Sequence, residues 1–235
     1  MKKILAAVLS MGIALSAVAC GSGSSTTTTT EDVKSEGVMS YADYAAADLD
    51  SEVVIEAYVQ GKQSWWDNKA TLYTQDHDGG YFIYELPITE EDYNKLTTGT
   101  KIKVAGVKSE WSGEVEIVDA MYEIESGNYV ASPVDCTDLL GKDSLKDRQN
   151  QLVSFSGLTV ESVAYKNEQP GDDIYVTLSK DGNSYDFCLE YYLNGSDENF
   201  YNLVGGLESG QTVDVEGFLY WYEGPNPHLT KVTVK

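Results

Sequence analysis

From residue 52 onward, apolar and polar positions alternate in short runs, the period of a half-buried β-strand. Runs at 53–59, 70–74 and 81–86 predict three strands, each bounded by Gly, Asp or Pro. A short helix is predicted over 89–96, with Thr89 as its N-cap and Glu90, Glu91 and Asp92 in its first turn. Gly99 closes it, and 101–107 and 114–118 read as two further strands. The same order then returns. Strands are predicted at 152–160, 174–178 and 185–191, a helix over 197–207 closed by Gly210, and strands at 213–219 and 229–234.

The repetition extends to identities. Leu96, Gly99, Gly106 and Gly113 recur as Leu207, Gly210, Gly217 and Gly224, at a constant offset of 111. Phe82 and Glu85 recur as Phe187 and Glu190 at a second offset. Each copy has a leader: a helix over 40–47 capped by Ser40, and helical pieces at 135–140 and 144–149. Ser126, Gly127, Asn128 and Pro133 break the pattern and put a boundary within 126–134. These readings divide the chain into a leader (1–19), a tether (20–37), a first domain (38–127) and a second domain (128–235).

Three strands, a helix and two strands is the element order of the OB-fold, a five-stranded Greek-key barrel. The pattern L-x-x-G-x-x-(I/V)-x-V-x-G-(V/F), at 96–107 and again at 207–218, resembles the helix-to-fourth-strand region of bacterial OB-fold proteins. The resemblance covers nearly all of 38–235. It implies an all-β fold with short helices, in which two tandem OB-fold-like barrels follow a signal peptide and a flexible tether. It implies no particular activity.

The first twenty residues carry a different signal. Lys2 and Lys3 precede an apolar stretch, and the small residues Ala17 and Ala19 precede Cys20. This is the layout of a secretory leader, and the stretch is short for a membrane span, which needs ~20 apolar residues. It resembles the bacterial lipobox, in which the cysteine becomes the first mature residue and carries lipid. Ala17 departs from that pattern, where leucine is commoner; an ordinary secretory signal and an uncleaved anchor are the other readings. Residues 21–30, GSGSSTTTTT, cannot form a core. The expectation is an extracytoplasmic protein held to a membrane through lipid on Cys20.

Charge narrows the partners. The chain has 16 Lys+Arg against 38 Asp+Glu, a net charge of −22, and loss of a leader containing Lys2 and Lys3 leaves −24. Residues 51–125 hold 6 Lys against 15 acids, and residues 151–235 hold 4 against 13. Nucleic acid, the usual OB ligand, needs a basic groove beside stacking rings. Here it would need Lys62, Lys69 and Lys108 to converge, so nucleic acid is disfavoured.

Catalytic and metal chemistry find little footing. His77 and His228 are the only histidines, and neither has a zinc-ligand spacing. The run Asp76-His77-Asp78-Gly79-Gly80 superficially resembles the start of a calcium loop, but Pro87 stands where the twelfth-position Glu belongs, and a hairpin turn explains it better. No nucleophile elbow, P-loop or dinucleotide fingerprint is present. With Cys20 lipidated, only Cys136 and Cys188 remain, too few for a disulfide framework. Cys188 reads as a small hydrophobe in an apolar strand. The chain is therefore read as a binding or scaffolding module without catalytic residues, metal or cofactor.

Aromatic residues are the informative ones. Trp65 and Trp66 fall in the predicted loop between the first two strands, and Trp111 in the loop between the fourth and fifth. In the second copy that loop holds Tyr220, Trp221 and Tyr222. OB-folds bind oligonucleotides and oligosaccharides through these loops. The six aromatics are the candidate ligand-binding residues, with Trp65 or Trp66 expected beside Trp111 on one rim. A glycan or a protein is the expected ligand. The alternatives are a nucleic-acid module acting outside the cytoplasm and an accessory subunit of a surface complex. The bland reading is that the indoles plug barrel ends or pack one copy against the other.

Overall fold

The computed structural model describes residues 34–235, so the leader, Cys20 and the tether up to residue 33 lie outside it. In chain order the elements are α1 (Tyr41–Ala46), β1 (Glu52–Lys62), β2 (Lys69–Gln75), β3 (Gly80–Pro87), α2 (Glu90–Lys95), β4 (Thr100–Trp111) and β5 (Glu114–Asn128). Then come β6 (Val134–Asp135), β7 (Leu152–Tyr165), β8 (Ile174–Lys180), β9 (Asn183–Leu189), α3 (Tyr191–Asn194), α4 (Glu198–Gly205), β10 (Thr212–Phe218) and β11 (His228–Val234). Thr137–Leu139 and Asp143–Arg148 are 3-10 turns where the sequence suggested helical pieces.

Strands β1 to β5 form a closed barrel in the order β1-β2-β3-β5-β4, with β3 and β5 parallel. Inward positions alternate along each strand, and Ile55, Leu72, Ile83, Ile102 and Ile117 meet inside with no exposed surface. Leu96 plugs the end of this core. Helix α2 forms where expected, because the Thr89 side chain accepts from the Asp92 amide and Lys95 bridges Glu91 and Asp92. Helix α1 is capped by Ser40, and the buried Lys108 ammonium donates to the carbonyls of Tyr44, Ala45 and Ala47 at its other end.

The second sheet runs β10-β11-β9-β8-β7-β6, and β10 also pairs with β7. Strands β7 to β11 therefore repeat the cyclic order of the first half, with β6 added in parallel outside β7. Phe155, Leu178, Phe187, Leu189 and Leu229 fill its interior. Gly99 and Gly210 both adopt φ +90°, and their amides donate to Val59 and Val160 at corresponding points of β1 and β7. Gly106 and Gly217 sit at register shifts in β4 and β10, where an added Cβ would lie 2.8 Å from the Val118 carbonyl oxygen and 2.5 Å from that of His228.

One of the sequence matches is out by a residue. Phe187 points into the second core, whereas Phe82 faces outward from the first barrel. Phe82 corresponds instead to Cys188: Phe82 pairs with Glu116 across the parallel β3–β5 contact, as Cys188 pairs with His228, and the inward neighbours are Tyr81 and Ile83 in one barrel and Phe187 and Leu189 in the other. Cys136 and Cys188 are both buried and unpaired.

No strand of one sheet pairs with a strand of the other; the junction is made by side chains and loops. Tyr73 stacks on Phe218 at 4.7 Å, and Phe82 packs with them. The buried Tyr73 hydroxyl lies 2.6 Å from His228 Nδ1. Burial lowers His228 to about 3, so the ring is neutral and a hydrogen bond, not an ion pair, joins it to the hydroxyl. Gln149 Nε2 and the Trp221 amide both donate to Glu114 Oε2, at 2.9 and 2.8 Å. Asn150 donates to the Val115 carbonyl, and Gln75 accepts from the Leu152 amide. At the other side of the first barrel, Lys34 donates to the Glu56 carbonyl and pairs with the fully buried Asp76 at 2.6 Å. Asp76 also accepts from the amides of Asp78 and Gly79 and from the Tyr81 hydroxyl, so the turn resembling a calcium loop uses its carboxylate internally.

Candidate functional site

The chain between β1 and β2 places its two tryptophans in opposite ways. Trp65 leans on the first core and donates its indole N–H to the Ile88 carbonyl at 2.9 Å, so it is a packing residue. Trp66 and Lys69 exchange backbone hydrogen bonds of 3.0 and 2.9 Å across Asp67 and Asn68, which have φ of 48° and 59°. That is a two-residue hairpin turn with left-handed central residues, a conformation Asp and Asn tolerate. The turn holds the Trp66 ring in solvent, at 80% exposure.

Beside it lies a groove of about 390 Å³. Its ring surfaces are Trp66, Tyr84 from β3 and Tyr192 from α3, and its polar groups include Gln63, Ser64 and Thr71. Tyr84 is 43% and Tyr192 59% exposed. The Ser64 amide donates to the Tyr192 carbonyl at 2.7 Å, which fixes α3 of the second half against the first barrel. Lys69 Nζ meets Glu85 at 2.7 Å. Hydrogen bonding within this pair raises the lysine and lowers the carboxylate, so the groove's one ammonium is neutralised by a neighbour.

The other candidates lie elsewhere. Trp111 is 54% exposed and stacks with Tyr222 at 5.3 Å, not with Trp65 or Trp66. Tyr220 stacks on the buried His228 at 4.3 Å and belongs to the junction. The Trp221 ring covers Gly113, where an added Cβ would approach it to 2.6 Å. Trp221 and Tyr222 line a second cleft of about 730 Å³. The three lysines do not converge. Lys62 lies over the Tyr93 ring at 3.7 Å, Lys69 is held by Glu85, and Lys108 is buried on carbonyls.

Tyr84 and Tyr192 are missed by sequence reading. They are two of 17 tyrosines: the β2–β3 pairing sets Tyr84 beside the turn, and only the docking of α3 brings Tyr192 to Trp66. The one local hint was the alternation in β3, which turns Tyr84 outward next to the inward Ile83. Among the described residues, no group of three His, Cys, Asp or Glu is placed to hold a metal ion.

No protein-family model matches the chain, and no curated protein matches it. Several solved structures share some of its shape. A murine DNA-binding protein bound to double-stranded DNA aligns at 10% identity over 77% of this chain and 96% of that one, with a TM-score of 0.39. A replication protein A heterotrimer bound to single-stranded DNA aligns at 14% identity over 78% and 49%, with a TM-score of 0.33. A protein assigned as an aspartyl-tRNA synthetase from Leishmania major gives a TM-score of 0.32 at 13% identity over 47% of this chain, which spans only 22% of that protein. None of these scores is high enough to carry a functional argument.

Proposed function

We propose that this chain is a lipid-anchored, extracytoplasmic binding module of two tandem OB-like domains, non-catalytic, which holds a neutral glycan in the Trp66–Tyr84–Tyr192 groove. The observation that carries the ligand is the exposure of those three rings around one concave surface. Exposed apolar area costs about 25 cal/mol per Å², and a packed fold gains nothing from leaving three rings in water together. Sugar rings present C–H faces to such surfaces and hydroxyls to groups like Gln63, Ser64 and Thr71. A polyanion finds no unpaired ammonium there, because Lys69 is held by Glu85.

The test is a glycan array read with the full chain and with Trp66→Ala. A neutral oligosaccharide that binds the wild type should lose about 1–3 kcal/mol in the variant, the range for a stacked ring. Its affinity should vary little with salt. Retention of binding by Trp66→Ala sinks the groove reading, and a steep salt dependence on an oligonucleotide replaces it with the nucleic-acid one. The anchor is tested separately. Mass spectrometry of the exported protein should find a diacylated or triacylated Cys20 at the amino terminus; an unmodified Cys20 removes the lipoprotein reading and leaves the groove untouched.

A further inference from the structure

We propose that the cleft beside the 219–227 loop is a second ligand site, and that it takes an acidic saccharide, a sugar ring bearing one carboxylate. It stands apart from the Trp66 groove and does not depend on it. The cleft lies between the Asp143–Arg148 turn, the start of β9 and that loop, and encloses about 730 Å³. Tyr185, Trp221 and Tyr222 supply its ring surfaces.

The wall is built before any ligand arrives. The Tyr222 amide donates to the Gly224 carbonyl, and the Asn226 amide to the Tyr220 carbonyl, both at 2.8 Å. The Glu223 amide reaches the Ser112 carbonyl of the first barrel at 2.7 Å, and Glu114 Oε2 holds the Trp221 amide at 2.8 Å. Trp111 braces Tyr222 from outside. Rings held this way lose little freedom on binding, which is the condition for a preformed site.

Its charges are unusual for this molecule. In a chain with 38 acids and 16 bases, most described lysines are occupied by a carboxylate or a backbone carbonyl. Lys142 and Lys146 line the cleft, and neither has a carboxylate within ion-pair distance among the described residues. The Lys146 ammonium instead lies 5.6 Å from the Trp221 ring centre. The remaining wall is rich in acceptors. Asp143, Asp186, Glu223 and Asn226 line it.

That combination selects among ligands. Acceptors ask for donors, which sugar hydroxyls supply and phosphodiesters do not. A neutral sugar leaves both lysines without an ion-pair partner. A nucleic acid brings one negative charge per residue against three carboxylates. One carboxylate on a hydroxylated ring answers the lysines, the acceptors and the aromatic faces together.

The experiment is calorimetric and fluorescence titration of the full chain with galacturonate, with its methyl ester, with sialyllactose and with oligothymidylate. We expect saturable binding of at least one acidic sugar. For galacturonate, loss of the charge in the ester should weaken it about tenfold. Lys146→Gln and Lys142→Gln should each weaken the acid and leave the ester unchanged, and Trp66→Ala should change neither. Both lysine variants are surface changes, and unaltered thermal unfolding confirms that they fold. The proposal is overturned if acid and ester bind equally, if the lysine variants bind like wild type, if oligothymidylate binds more tightly than the acidic sugars, or if neither acidic sugar saturates at millimolar concentration.

Discussion

At the scale of single residues, the junction is where ionisable groups depart most from their habits. Glu114 has no exposed surface, and burial pushes it up to about 8, against 4.5 for the free group. The folded form therefore keeps a proton that the unfolded chain releases. Stability from this group is complete below about 4.5 and is lost as pH rises toward about 8, at ~1.4 kcal/mol per unit. Glu190, half-buried and lifted to about 7 by desolvation, acts in the same sense. His228 acts oppositely, because its lowered value costs stability only as pH falls below about 6.5. Between pH 7 and 8 the carboxyls thus dominate, and the melting temperature should fall with rising pH. Glu114→Gln carries the neutral shape of the protonated acid and should flatten that slope. Parallel melting curves for variant and wild type would show that Glu114 is not the source.

At the scale of elements, the order of strands and helices was legible because alternation, caps and turn residues are local signals. Thr89 and Ser40 cap α2 and α1 where read, Asp197, read as the first helical residue, caps α4, and Gly99 and Gly210 take left-handed turns a few residues past the ends of α2 and α4. Strand lengths were not legible: β5 continues to Asn128, well past 118. Its last third is held by pairing with β4 and not by burial, and exposed Met121 and Glu123 give no inward-outward signal. The offset of 111 mixed two kinds of match. Gly106 and Gly217 share a bulge, whereas Gly113 has φ +93° and Gly224 has no positive φ. Gly217→Ala should therefore cost about 1–3 kcal/mol, since the new methyl meets the His228 carbonyl. Gly224→Ala, with open space around it, should stay within about 0.5 kcal/mol. Urea unfolding measures both, and equal losses would refute the distinction.

At the scale of the whole molecule, what the sequence could not show is the docking of the two sheets. Indoles read as loop residues proved to divide three ways: Trp65 into a core, Trp221 into the junction and Trp66 and Trp111 into solvent. The division depends on contacts between residues more than 100 positions apart, such as Tyr73 with Phe218, for which one sequence carries no local cue. The buried ring stack and the Tyr73–His228 hydrogen bond predict one cooperative unfolding transition for residues 34–235. Calorimetry should give a van't Hoff enthalpy equal to the measured one. Phe218→Ala, which removes a buried ring worth about 3–5 kcal/mol, should lower the single midpoint or split it. Two resolved transitions in the wild type would mean that the halves are independent.

The Lys34–Asp76 pair gives the molecule a mechanical direction. Asp76 follows the last residue of β2, while Lys69 and Thr71 of the same strand border the Trp66 groove at its other end, roughly 20 Å away at strand spacing. Tension between a hold on the amino-terminal side and a ligand in the groove would run along β1. That strand is paired with β4 from Glu52 to Tyr58, so the load would fall on all those rungs at once, in shear, and not on one at a time as in unzipping. Pulling between Lys34 and Trp66 in a single-molecule instrument should therefore meet a higher rupture force than pulling the two ends of the β4–β5 hairpin apart; equal forces would show that strand direction does not set the resistance.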